Sequence, residues 1–275
     1  MIISVASGKG GTGKTLISTS LALSLADNVQ FLDCDVEEPN AHIFLKPKIG
    51  KTEKVNVPVP EVDESKCDFC GKCSEVCEYN AIVVAKNKVL IFPELCHSCG
   101  GCVLLCPQKA FTEKGREIGH IDSGKSGGID FVSGTLNVGE AMPVPMVRAV
   151  KKRVDPSKTV IIDASPGTSC PVVEAVKGSD YCVLVTESTP FGLSDLKLAV
   201  EVLKKMNIPC GVIINKYEAE YKKTEEFCGG QNIPVLMRIS EDRKIAEAYS
   251  RGEPLIRVRP EYREKFTGLF RGINQ

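Results

Sequence analysis

The chain has 275 residues, 43% hydrophobic and 25% charged, with 35 basic against 35 acidic side chains. That length suits one large domain plus a small accessory unit, and the ordinary composition excludes a disordered or fibrous chain. Balanced charge supplies no global field toward nucleic acid or anionic lipid, so no nucleic-acid partner is expected. The opening Met-Ile-Ile-Ser-Val has no signal-peptide character, and no apolar run approaches the roughly 20 residues of a membrane helix, so the expected compartment is the cytoplasm.

Residues 2–6 predict a buried strand, residues 14–26 a helix with Leu16, Ile17, Leu21 and Leu25 inward, and residues 29–33 a second strand. Between the first strand and the helix, Gly8-Lys9-Gly10-Gly11-Thr12-Gly13-Lys14-Thr15 matches G-x-x-x-x-G-K-[ST] in the strand–loop–helix context that the motif needs. Its backbone N–H groups would wrap the phosphates of ATP or ADP at a helix N-terminus, Lys14 would reach the β and γ oxygens, and Thr15 would hold Mg²⁺. The second strand ends in Phe31-Leu32-Asp33-Cys34-Asp35, with Asp33 and Asp35 on one side of a period-two chain. They sit at the carboxyl edge, where open α/β sheets bind ligands, although turn or helix-cap aspartates read the same way.

The pattern breaks at Val57-Pro58-Val59-Pro60 and recovers after about Phe111, which marks residues 58–113 as an inserted unit. Eight of the thirteen cysteines lie inside it, as Cys67-x2-Cys70-x2-Cys73-x3-Cys77 and Cys96-x2-Cys99-x2-Cys102-x3-Cys106-Pro107. These are two copies of the bacterial ferredoxin run, in which the fourth cysteine of each run ligates the other [4Fe–4S] cluster. Cluster 1 should take Cys67, Cys70, Cys73 and Cys106, and cluster 2 should take Cys96, Cys99, Cys102 and Cys77. Zinc is the competing reading of paired C-x2-C units, but it calls for a longer separation between pairs. Tyr79-Asn80-Ala81-Ile82 against Gln108-Lys109-Ala110-Phe111 supports an internal pseudo-twofold. Glu78 stands where a proline usually follows the fourth cysteine, and His97 reads as a loop residue beside the sulfur rather than a ligand.

Residues 119–139 are glycine-rich and predict short strands that return the chain to the main sheet. Strand and helix then alternate: strand 159–162, helix 171–177, strand 181–185, a helix with Leu193, Leu196, Val200 and Leu203 on one face, and strand 210–214. Val160-Ile161-Ile162-Asp163 is an apolar strand ending in an aspartate that would reach Mg²⁺ directly or through water. Cys34, Cys182, Cys210 and Cys228 read as small buried hydrophobes. The fold class is therefore α/β: a mostly parallel sheet of residues 1–57 and 114–275, with a small α+β ferredoxin-like unit inserted.

The Lys9/Lys14 loop resembles the deviant Walker A loop of the MinD/ParA/nitrogenase iron protein superfamily, and the whole chain resembles members of it that carry an inserted ferredoxin domain. The resemblance implies a P-loop ATPase that forms a nucleotide-sandwich homodimer in which Lys9 contacts the facing subunit's nucleotide. By the same resemblance Asp35 positions water near the Mg²⁺ shell with Asp33 in support, so that the catalytic set is Lys9, Lys14, Asp35 and Asp163. Gly167 would sense the γ-phosphate and Asn215 would recognise adenine. Cys170 lies seven residues after Asp163, the offset of one cluster-ligating cysteine in the nitrogenase iron protein, which leaves open a subunit-bridging cluster or a plain cysteine near the dimer interface. Tyr262, Phe266, Leu269, Phe270 and Ile273 fall at helical spacing; MinD proteins use such a tail at membranes, whereas a helix packed on the sheet is the simpler expectation. Two functions fit: nucleotide-gated electron transfer through the clusters to a protein partner, or an ATPase carrier or scaffold for clusters or metal cofactors.

Overall fold

The computed structural model describes residues 1–274. In chain order its strands are β1 (Ile2–Ser7), β2 (Val29–Cys34), β3 (Lys48–Val62), β4 (Ile82–Ala85), β5 (Lys88–Ile91), β6 (Phe111–Ser126), β7 (Ile129–Leu136), β8 (Thr159–Pro166), β9 (Tyr181–Glu187), β10 (Cys210–Tyr217) and β11 (Val235–Ser240). Nine of them form one sheet in the order β11-β10-β9-β1-β8-β2-β7-β6-β3, while β4 and β5 form a separate hairpin. From β11 to β7 every pairing is parallel; β6 runs antiparallel to β7, and β3 antiparallel to β6. The central strands are near-continuous apolar runs because helices cover both faces. On one face Leu16, Ile17 and Leu21 of helix α1 (Lys14–Leu25) pack with Ile3, Val5 and Phe31. On the other, Met146, Val147 and Val150 of helix Pro143–Lys151 and Leu196, Val200 and Leu203 of helix Pro190–Lys205 pack with Leu32, Ile162 and Leu184.

The edge of the sheet is drawn out into a long two-stranded ribbon. Strand β3 pairs with β6 from Lys48↔Lys125 to Val62↔Phe111, well past the end of β7. Pro58 and Pro60 are tolerated because β3 is an edge strand, where a missing N–H breaks no ladder. The expectation of short strands over 119–139 is corrected: β6 has 16 residues, and β7 is a parallel neighbour of β2. Glycine misled that expectation because here it marks close approach rather than a chain break. A Cβ on Gly119 would sit 2.1 Å from the Thr135 carbonyl oxygen, and one on Gly134 2.6 Å from the Val150 side chain.

Residues 63–110 sit on the ribbon, closed at their base by the Asp63 N–H bonded to the Ala110 carbonyl at 2.8 Å. The backbone of this unit repeats with a shift of 29 positions: Phe69, Gly71 and Asn80 have positive φ, and so do Ser98, Gly100 and Lys109. Each repeat turns into a four-residue helix, Lys72–Glu75 or Gly101–Leu104, directly after its left-handed glycine. The proposed boundaries at 57/58 and 113/114 fall inside β3 and β6, since the ribbon runs unbroken from the sheet to the cysteine unit.

The C-terminal helix Glu261–Ile273 lies against α1, with Tyr262 and Phe266 buried, Leu269, Phe270 and Ile273 packed beside them, and Arg263 bonded to the Leu23 carbonyl. Its apolar face is thus occupied by the body of the protein, and no helix among the described residues is long and apolar enough to cross a membrane. Phe266→Ala should lower the unfolding free energy by about 3–5 kcal/mol in chemical denaturation, the cost of emptying a fully buried aromatic site. A change within 0.5 kcal/mol would mean that this helix is not docked.

Candidate functional site

The glycine loop joins β1 to α1, and its conformation is fixed from outside. A Cβ on Gly8 would sit 2.4 Å from the Asp195 carbonyl oxygen, so only glycine admits helix Pro190–Lys205 so near. Gly13 has φ +87°, and a Cβ there would meet the Asn215 side chain at 2.4 Å. Asn215 itself donates to the Thr12 carbonyl at 2.8 Å and so braces the loop. A cavity of about 340 Å³ opens over the loop, bounded by residues 10–16, by Asp35 and by Asn215.

Among the described residues Lys14 is the one cation bonded within a group of carboxylates contributed by β2, the residue just after it and β8. Its Nζ donates to Asp163 Oδ1 at 2.9 Å and lies 3.5 Å from Asp35 Oδ2. Burial would lower the Lys14 pKa, but the Asp163 and Asp35 charges outweigh it and hold the ammonium above its ordinary value. Burial pushes Asp35 up to about 6 against the pull of Lys14. Burial, with Asp163 adding repulsion, pushes Asp33 well above the usual carboxylate range. Asp33 Oδ1 accepts the Asp35 N–H at 3.2 Å and Oδ2 the Ala41 N–H at 3.0 Å, so both oxygens hold the 35–41 turn and neither faces the cavity. Asp163 Oδ2 is buried without a hydrogen-bond partner among the described residues, an orphan acceptor within electrostatic reach of Asp35 that suits a divalent cation and its water.

The eight ribbon-unit cysteines surround two further cavities. One is lined by Cys67, Cys70, Cys73 and Cys106, the other by Cys77, Cys96, Cys99 and Cys102. Backbone N–H groups of Phe69 and Ala110 point at the Cys67 and Cys106 sulfurs, both at 3.4 Å. The N–H groups of Ala81 and Ser98 do the same for Cys77 at 3.3 Å and Cys96 at 3.4 Å. The thiols ring hollows rather than converge on points: among the described residues no three His, Cys, Asp or Glu side chains could share a single metal ion. Four thiols around each hollow match the four-cysteine ligand set of a [4Fe–4S] cluster. Burial raises the Cys73 and Cys96 thiols and lifts Cys102 to about 11, a penalty that metal ligation removes by taking the thiolate outright. His97 is stacked on Tyr79, ring centroids 3.5 Å apart, at the mouth of the second cavity.

Residues 3–255 match the model of the CobQ/CobB/MinD/ParA nucleotide-binding domain. The chain belongs to that family. An uncharacterized protein of Methanocaldococcus jannaschii is 32% identical over 94% of this chain and 92% of its own. The iron-sulfur cluster carrier protein of Aquifex aeolicus is 26% identical over 94% of this chain and 63% of its own. The fold is that of the septum site-determining protein MinD of Pyrococcus horikoshii, solved with Mg-ADP: TM-score 0.58 at 21% identity, covering 98% of this chain and 93% of that one.

Three residues with expected family roles make contacts of their own within the subunit. Lys9 is turned back within its own subunit, 2.7 Å from Glu187 Oε2, and Lys216 shares the same carboxylate. Burial would raise Glu187, but the two ammonium groups outweigh it and hold it low. The Gly167 N–H, expected to face the γ-phosphate, donates to the Ser7 carbonyl at 2.8 Å, because β8 pairs with β1 again at Ser7↔Pro166, beyond a one-residue register shift after Val5↔Asp163. Asn215 spends its amide on the loop carbonyl while still bordering the cavity. The far wall was missed from the sequence: Ser240 at the end of β11, then Asp242, Ile245, Ala246 and Tyr249 on helix Arg243–Ser250 and its cap. Its signal was an Asx cap before apolar residues at i, i+1 and i+4, a pattern equally suited to core packing. Cys170 is exposed at the start of helix Cys170–Val176, whereas Cys34, Cys182 and Cys228 are buried in the apolar core and Cys210, expected to be buried with them, is only partly so.

The raised carboxylates set a pH dependence with an unusual sign. Because the folded Asp35 holds its proton up to about pH 6 and the unfolded side chain releases it near 3.9, the folded state binds more protons between those values. That stability is present at low pH and lost as pH rises through 6, with Asp33 extending the loss upward. The nucleotide-free protein should therefore lose roughly 1–3 kcal/mol of unfolding free energy between pH 5 and 8 at this site. Saturating Mg-ATP should flatten the slope, and so should Asp35→Asn. Equal slopes in wild type and Asp35→Asn would contradict the assignment.

Proposed function

We propose that the chain is an ATP-binding and ATP-hydrolysing iron–sulfur protein whose nucleotide state gates electron transfer through two [4Fe–4S] clusters to a protein partner. The observation that carries this reading is the sorting of eight thiols into two sets of four, each completed by the last cysteine of the opposite run. Cluster 1 is assigned to Cys67, Cys70, Cys73 and Cys106, and cluster 2 to Cys77, Cys96, Cys99 and Cys102, on a ferredoxin-like unit of residues 63–110. When bound, the clusters supply one-electron donor and acceptor sites. The N–H groups aimed at Cys67, Cys77, Cys96 and Cys106 stabilise the anionic sulfur.

At the nucleotide site the N–H groups of Gly10 to Thr15 cradle phosphate at the positive end of α1, and Lys14 faces the β and γ oxygens. Thr15 and Asp163 hold Mg²⁺, and Asp35 orients the attacking water. Helix Arg243–Ser250 offers Ile245, Ala246 and Tyr249 as an apolar wall for the base. In the ATP-bound homodimer Lys9 leaves Glu187 for the facing subunit's nucleotide. The carrier reading draws support from the similarity to the iron-sulfur cluster carrier protein. Four cysteines for each cluster favour retention over transfer.

Anaerobic purification should give about eight irons and eight sulfides per chain, four per cluster, with an EPR spectrum that changes on adding Mg-ATP. Cys67→Ser and Cys106→Ser should each remove the same cluster signal, and Cys77→Ser the other one. Zinc without iron would overturn the proposal, and rapid loss of clusters to an apo-ferredoxin would favour the carrier. Lys9→Ala should abolish the ATP-dependent dimer in size-exclusion chromatography with light scattering while leaving the iron content unchanged. A dimer that survives that substitution removes the role given to Lys9.

A further inference from the structure

We infer that Arg116 sets the reduction potential of the cluster held by Cys77, Cys96, Cys99 and Cys102, and that Glu140 links this charge to the nucleotide site. The inference rests on the clusters proposed above. Strands β3 and β6 pass beside that cysteine cavity, which Pro58, Pro60 and Glu113 help to line, and Arg116 follows on β6 opposite Val57. Val57 packs in one apolar cluster with Cys96 and Ala81. Arg116 Nη1 and Nη2 grip both oxygens of Glu140, the second at 3.2 Å, in a bidentate pair whose carboxylate side chain is only 4% exposed. Its Nε is buried and has no hydrogen-bond partner among the described residues. Glu94 and the Cys96 sulfur also lie within electrostatic reach of the guanidinium. A cation held by a polar lock beside a cluster ligand favours the reduced, more negative form, and so raises the potential.

The other end of the lock belongs to the ATPase body. Val36 directly follows Asp35, and its carbonyl accepts the Leu136 N–H at 2.8 Å. The next N–H, of Asn137, donates to the Ile118 carbonyl on β6 at 2.9 Å, two positions from Arg116. The 137–142 turn then presents Glu140, whose N–H is bonded to the Asn137 carbonyl at 3.0 Å and whose carboxylate also accepts the Met142 N–H at 3.3 Å. A shift of the Asp35 segment on nucleotide binding is therefore delivered, one hydrogen bond away, to the turn that holds the Arg116 charge. The other cavity's Cys67, Cys73 and Cys106 pack in a separate apolar cluster with Ile82, Val89 and Phe111, which Cys102 of the second cavity also joins.

The test is an anaerobic EPR-monitored redox titration of the full chain with and without Mg-ATP, alongside iron and sulfide analysis. Cys99→Ser identifies which signal belongs to the second cavity. Arg116→Gln should lower the midpoint of that cluster by about 59 mV, a tenfold change in its one-electron equilibrium, and leave the other midpoint in place. Arg116→Lys should restore most of the shift. Glu140→Gln, which keeps the cation and removes its counter-charge, should raise the same midpoint and diminish its response to Mg-ATP. Midpoints that stay put in both Arg116→Gln and Glu140→Gln, or that move equally for both clusters, overturn the inference while leaving the cluster assignment intact. If Arg116→Gln loses iron, the Glu140→Gln midpoint decides. Wild-type protein without iron or sulfide overturns the functional proposal instead, and this inference falls with it.

Discussion

One buried lysine faces three aspartates at the carboxyl ends of two adjacent strands, and the rest of the molecule is arranged around that imbalance. Asp33 and Asp163 are register partners on β2 and β8, so the sheet itself brings like charges together. Coulomb repulsion at such spacing in a poorly hydrated site is costly, and the protein answers in three ways. Asp33 spends its oxygens on backbone N–H groups, Asp35 retains its proton more readily, and Asp163 keeps only Lys14. The group is thus under-neutralised without a divalent cation, and a metal-nucleotide complex stabilises the folded state by supplying the missing charge. The turn at 35–41 is held by that same group, so whatever occupies the site acts directly on the segment that leads to the ribbon.

The ribbon solves a placement problem. A cysteine unit inserted between central strands would break the parallel ladder, whereas at the edge it costs no hydrogen bonds. Two prolines and the lysines along β3 also discourage pairing with another chain at that open edge. The two cavities are not equivalent. Cys96 and Cys77 of one join the large apolar cluster of the body with Val57, Val59 and Ile118, whereas Cys67, Cys73 and Cys106 of the other belong to a small cluster of the unit's own, which only Cys102 of the first shares. Since burial and nearby charge set cluster potentials, this asymmetry would give the two proposed clusters different potentials, one nearer the nucleotide-binding body than the other.

The alternation of apolar strands with amphipathic helices was legible because each strand is buried on both faces and each helix on one. The glycine loop was legible because its spacing and context are rarely shared. The grouping expected from the ferredoxin spacing, with the fourth cysteine of each run crossing to the other set, is also how the thiols line the two cavities. What escaped depends on contacts that no local pattern encodes. Gly119 and Gly134 look like breaks until Thr135 and Val150 are seen against them. Lys9, Gly167 and Asn215 could each face a nucleotide by position, but Glu187, Ser7 and Thr12 already engage them. Helix Arg243–Ser250 carries a pattern that serves a core as well as a ligand wall, and Arg116 meets Glu140 across 24 positions of chain.

The Lys9–Glu187 pair bears on how readily the proposed dimer can form. Lys9 is about a third exposed, and such partly solvated pairs are worth about 0–1 kcal/mol, so releasing Lys9 is cheap. It is cheaper still because Glu187 keeps Lys216 when Lys9 departs, and no buried carboxylate is stranded. Lys216 also reaches the Gly11 carbonyl of the phosphate loop at 3.3 Å, so the carboxylate that parks Lys9 is tied to the loop that nucleotide must order. Phosphate binding and the release of Lys9 therefore act on the same three side chains. The resting arrangement holds the lysine close to the loop at little energetic cost, where a second nucleotide-bound copy can draw it across.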